Sequence, residues 1–145
     1  MKKILLPLLL FISTSSLLIP ACSKKSDDPA YTKENLAGTY VLISYKAGLN
    51  GMPEEDVTDT YFESCERDDQ YTLHTDGSYD YVDAGTTCDP NGSNSGTWTL
   101  SGNTINIDGI EGNISQFDGT NLVVKGSIQQ SGVTYTFTVT FKKQS

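Results

Sequence analysis

Three cysteines and one histidine limit the chemistry open to this chain. His74 is the only imidazole, so any Ser-His-Asp or Cys-His arrangement must use it. Neither a nucleophile-presenting Gly-x-Ser-x-Gly turn nor a second histidine for zinc accompanies it. Catalysis is therefore not expected, and His74 reads as an exposed or half-buried strand residue. Carboxylates are abundant, but their spacing nominates no pair across one cleft. The run Glu54, Glu55, Asp56, Asp59, Glu63, Glu66, Asp68 and Asp69 offers the oxygen ligands a hard cation takes, although such runs more often form a solvated surface. The stretch from Asp89 begins like a calcium loop, yet Asn94 stands where the sixth-position glycine belongs and Leu100 where the bidentate glutamate belongs. No metal or other cofactor is predicted.

The aromatic residues Tyr40, Tyr71, Tyr79, Tyr81, Trp98, Tyr135, Phe137 and Phe141 are a different resource. Gathered in one place, they would line a mouth for an apolar or aromatic small molecule. The same side chains would serve as core in a barrel of few, short strands, so binding and filling compete for one volume. An inward void of ~300 Å³ or more separates the two readings.

The start of the chain reads as an address. Lys2 and Lys3 precede an apolar run from Ile4 to Ile12, shorter than the ~20 residues needed to cross a bilayer, and Ala21 precedes Cys22 at a cleavage-like position. Residues 1–21 are predicted to be a removed secretory signal. Leu18-Ile19-Pro20-Ala21-Cys22 resembles a bacterial lipobox, which implies that Cys22 becomes the first mature residue and carries acyl chains. At ~0.8 kcal/mol per buried methylene, two or three chains would hold a soluble domain on a membrane almost irreversibly. Residues 22–30, with Ser23-Lys24-Lys25-Ser26-Asp27-Asp28-Pro29, form a polar tether. The remaining cysteines, Cys65 and Cys88, then make an even pair in an oxidising compartment and lack the C-x-x-C spacing of redox thiols, so a structural disulfide is expected.

Residues 31–145 must supply the scaffold, and 145 residues in all allow one domain. Loss of Lys2 and Lys3 with the leader takes the net charge from −8 to −10, which disfavours nucleic acid as a partner. No helical stripe of useful length occurs, whereas period-two alternation recurs from Thr39 onward and marks an all-β domain. The clearest case is Val133, Tyr135, Phe137, Val139 and Phe141, which alternate with four threonines. Seven further strands are predicted over 39–46, 70–74, 78–83, 96–100, 103–108, 112–117 and 121–129. Asp76-Gly77, Ser101-Gly102, Asp108-Gly109, Asp118-Gly119 and Ser131-Gly132 supply tight turns between neighbours. Eight strands in up-and-down order favour a closed antiparallel barrel, which leaves no edge, over a β-sandwich. Irregular, mobile stretches are expected over 47–67, with a short helical turn near Val57 to Ser64, and over 84–95, where no hydrophobic contact can order the chain.

Taken in order, Glu34-Asn35-Leu36-Ala37-Gly38-Thr39-Tyr40, Cys65-Glu66-Arg67-Asp68-Asp69, Asp76-Gly77-Ser78-Tyr79, Cys88 and Ser95-Gly96-Thr97-Trp98-Thr99-Leu100 resemble the lipocalin-like domain of many Bacteroidetes lipoproteins. The likeness spans residues 31 to 143 and implies an eight-stranded calyx. Tyr40 stands where lipocalins carry a tryptophan, and the covering basic residue would be Lys142 or Lys143. The resemblance implies a monomeric, non-catalytic binding module on the outer membrane, with a small hydrophobic ligand in the calyx and display on the cell surface as one option. The alternative is a filled barrel that meets envelope proteins or glycans through its loops.

Overall fold

The computed structural model describes residues 29–145. The leader, Cys22 and most of the tether lie outside the described residues. A short helix, α1 (Lys33–Leu36), precedes nine strands: β1 (Gly38–Leu49), β2 (Glu55–Asp56), β3 (Gln70–Leu73), β4 (Ser78–Val82), β5 (Asn94–Ser101), β6 (Thr104–Ile107), β7 (Ile110–Phe117), β8 (Asn121–Gln130) and β9 (Val133–Lys143). A helical turn, α2 (Thr58–Tyr61), and a 3₁₀ turn (Ser64–Glu66) lie between β2 and β3.

From β3 to β9 each strand pairs antiparallel with the next, β3 pairs with the start of β1, and β9 returns to pair with β1 from Tyr40↔Lys143 to Leu49↔Tyr135. Eight strands therefore close into a barrel, and the stacked-sheet alternative is excluded. β2 lies outside this count: it takes the edge of β1 at Lys46 and Ala47 that β3 leaves unpaired.

The turns follow from residue type. Asp108 and Gly109, and Ser131 and Gly132, both hold positive φ, the conformation that lets a two-residue hairpin follow the twist of its strands. The strand boundaries fall within a few residues of those the alternation predicts, with one larger departure. β1 runs three residues past Lys46 because Ala47 and Gly48 pair with Phe137 and Thr136, and only a residue without a side chain fits at Gly48 against the Met52 carbonyl.

Inward residues divide the barrel into two halves. At the end holding the β3–β4, β5–β6 and β7–β8 turns, Leu36, Tyr40, Leu73, Trp98, Ile105, Ile114, Phe117 and Leu122 form a buried core. Leu36, fully buried, places α1 across this end as a plug. Tyr40 donates its hydroxyl to the Leu36 carbonyl at 2.6 Å, and the Trp98 indole N–H bonds the His74 carbonyl at 2.8 Å. Lysines complete the seal: Lys143 Nζ lies 5.8 Å from the Tyr40 ring centre and donates to the Asn35 carbonyl, and Lys33 Nζ lies 5.2 Å from the Trp98 ring centre. The basic residue over Tyr40 is thus Lys143.

Candidate functional site

The other half of the barrel is hollow. A cavity of about 370 Å³ is walled by Tyr71, Tyr79 and Tyr81 from β3 and β4, Ile105 and Ile107 from β6, Val124 from β8, and Phe137, Val139 and Phe141 from β9. Asn94, Asp108 and Ile110 stand at its rim and are solvent-exposed, so the cavity opens at the end opposite α1. A second void of about 30 Å³ lies against Tyr40, Leu73 and Leu122, and Tyr71, Tyr79, Ile107 and Phe141 border both spaces.

Each wall follows from strand register. Tyr71 pairs with Tyr81 across β3 and β4, which brings their ring centres to 4.9 Å, and the Phe141 ring meets Tyr71 edge-on at 5.3 Å. Val124 pairs with Val139, and Gly126 pairs with Phe137. Glycine is required at that position: an added Cβ would sit 2.3 Å from the Phe137 ring. Removing a side chain from β8 thus makes room for the aromatic wall of β9.

Polar groups lie at the rim rather than the floor. Asp108 accepts from the Tyr79 hydroxyl at 2.8 Å and from the Thr97 amide at 2.9 Å. The Thr97 amide, with help from the Tyr79 hydroxyl, holds the Asp108 carboxyl below its usual range, so it is an anion at neutral pH. Burial, reinforced by the Asp108 bond, raises the Tyr79 hydroxyl. The Tyr81 hydroxyl donates to the buried Asp69, and burial followed by that bond raises it strongly. Burial, then the charge of Asp69, pushes Tyr71 up to about 12.

The aromatic residues singled out in the sequence divide accordingly. Tyr71, Tyr79, Tyr81, Phe137 and Phe141 line the cavity. Trp98 does not: it is 1% exposed in the closed half, where its N–H needs the His74 carbonyl. Tyr40 borders only the small void beneath. Tyr135 shares the inward parity of β9 but is 39% exposed, because the β8–β9 hairpin continues past the rim. Binding and filling are therefore not alternatives for one set of residues; the barrel is filled at one end and open at the other. Alternation within the strands identified the aromatic wall. It missed the aliphatic one, Ile105, Ile107, Ile110, Val124 and Val139, whose residue types are those of any strand interior.

The β4–β5 loop at the mouth, where no ordering hydrophobic contact was expected over 84–95, is tied by polar groups instead, and residues 94–95 belong to β5. Cys65 and Cys88 form the expected disulfide. The buried Asp83 carboxylate accepts from the amides of Cys88 and Gly92, Asp69 accepts from Ala84, and Asp68 from Thr86. Carboxylate-to-amide bonds replace the missing apolar contacts. Asp69 accordingly departs from the solvated surface expected for its acidic run. Among the described residues, no three His, Cys, Asp or Glu side chains gather as metal ligands. His74 Nε2 lies 2.8 Å from Asp80 at the surface, away from the cavity lining.

A family model for the lipocalin-like domain matches residues 36–126. No curated protein and no solved structure matches the chain. The matched segment carries the first barrel strand, both cysteines of the disulfide and most of the cavity wall, and it covers well over half the sequence. The chain therefore belongs to the lipocalin-like domain family.

Proposed function

We propose that the protein is a lipid-anchored, non-catalytic carrier at a bacterial outer membrane, of the kind found among Bacteroidetes lipoproteins, and that its barrel holds one small hydrophobic compound. The observation that carries this reading is the 370 Å³ cavity, which lies within the size range of small-molecule sites and is walled almost wholly by apolar and aromatic side chains. A filled barrel used only as a contact surface would leave this volume without a role.

The anchor reading draws on Cys22 and the apolar leader before it. Pro29 lies beside Gly119 in the β7–β8 turn, at the closed end. Six residues lie between it and Cys22, and those seven Cα–Cα steps reach at most about 25 Å when extended. An acylated Cys22 would therefore hold the plugged end toward the bilayer and direct the mouth away from it. Ligand would exchange with the aqueous side rather than be drawn from the anchoring leaflet.

Mass spectrometry of the protein purified from its native membrane tests both parts. The expected result is a mature chain that begins at an acylated Cys22 and releases a small apolar compound on denaturation. A chain that begins elsewhere without lipid would overturn the anchor. Repeated recovery of the protein with no bound compound, together with failure to take up apolar probes, would overturn the carrier reading.

A further inference from the structure

Among the described residues, the cavity lining contains one charged side chain, Asp108, and no lysine, arginine or histidine. A second carboxylate, Asp69, lies directly behind the wall, in contact with the Tyr81 hydroxyl. Arg67, two residues from Asp69, is engaged by Asp59. Tyr71, Tyr79 and Tyr81 present their rings on the same side of the cavity, and the electron-rich face of an aromatic ring attracts a cation. A carboxylate headgroup entering this mouth would find no counterion and would meet Asp108, whereas an ammonium group would find a carboxylate beside aromatic walls.

We infer that the site selects apolar ligands bearing an amine over those bearing an acid, with Asp108 as the residue that discriminates between them. The inference rests on the carrier reading and assigns its ligand class: a cationic amphiphile or an aromatic amine. The fixed geometry of Asp108 supports the assignment. Two donors hold its carboxylate at the rim, and Gly96 leaves the space it occupies, since a Cβ there would lie 2.3 Å from an Asp108 oxygen. The carboxylate is thus presented in place rather than free to swing into solvent. The chain's net charge of −8 acts in the same direction at longer range.

The test uses decylamine, decanol and decanoate, three probes of one chain length, measured by isothermal titration calorimetry at neutral pH and low salt. Decylamine is expected to bind about ten-fold more tightly than decanoate, as suits a partly solvated carboxylate, with decanol between them and the gap narrowing as salt is added. Asp108→Asn keeps an acceptor for the Thr97 amide and should bring the amine and the acid to within about two-fold of each other. Decanoate binding as tightly as decylamine would overturn the inference and leave the carrier reading intact. A gap that persists in Asp108→Asn would overturn the role of Asp108. Binding of none of the three would overturn both the inference and the carrier reading.

Discussion

Buried tyrosines set how the fold responds to alkali, since burial raises Tyr45, Tyr79 and Tyr81 as well as Tyr40 and Tyr71. Burial pushes both Tyr40 and Tyr71 up to about 12 from an ordinary value of 10.0, so the folded chain keeps protons that the unfolded chain releases. Between these values the unfolded state binds fewer protons than the native one, and stability falls as pH rises. Chemical denaturation should show a midpoint that is steady from neutral pH to about 10 and declines progressively toward 12; a flat midpoint across that range would contradict the burial assigned to these rings. Trp98 offers a contrasting case, since it supports the barrel without touching the cavity. Trp98→Phe removes one of the two donors to the His74 carbonyl, which keeps the Gly77 amide, and leaves unfilled space in the closed half, so about 2 kcal/mol of stability should be lost in urea titrations, with apolar-probe affinity unchanged. At the mouth, Asp83→Ala leaves the Cys88 and Gly92 amides unpaired, and faster hydrogen exchange at those two residues, with a loss of about 2 kcal/mol, is expected.

At the level of elements, the β4–β5 connection depends on its covalent tie. The Cys65–Cys88 bridge spans 23 positions, for which the chain-entropy estimate is about 3 kcal/mol. Replacing both cysteines by serine should lower stability by that order and loosen the loop from Asp68 and Asp69, detectable as protease cleavage within residues 84–93. The strands were legible in the sequence because alternation and glycine turns are local signals: the Val133-to-Phe141 pattern maps onto β9, and the Asp108-Gly109 and Ser131-Gly132 pairs map onto the β6–β7 and β8–β9 turns. The ordering of residues 84–95 was not legible. It comes from carboxylates at Asp68, Asp69 and Asp83, and only spatial proximity distinguishes these from solvated acids. β2 escaped notice for a related reason: two exposed acidic residues carry no period, and their pairing exists because β3 stops short along β1.

For the whole molecule, a plugged end and a hollow end follow from where the inward positions of each strand carry bulk. The sequence supplied the aromatics but not their height along the barrel, which depends on register and on the bulges in β1 and β7. Trp98 and Tyr40 consequently belong to the floor and Tyr71, Tyr81 and Phe141 to the wall, a division that composition cannot reveal. The hollow end holds the claim on which the functional account depends. It is tested most directly by titrating the purified domain with the neutral fluorophore N-phenyl-1-naphthylamine, alongside a Val139→Trp variant that places a large ring in the void. The account predicts saturable enhancement at one probe per chain for the natural protein and a loss of at least ten-fold in affinity for the variant, with both retaining the same β-sheet spectrum. No enhancement in the natural protein, or equal binding by the two, would contradict it.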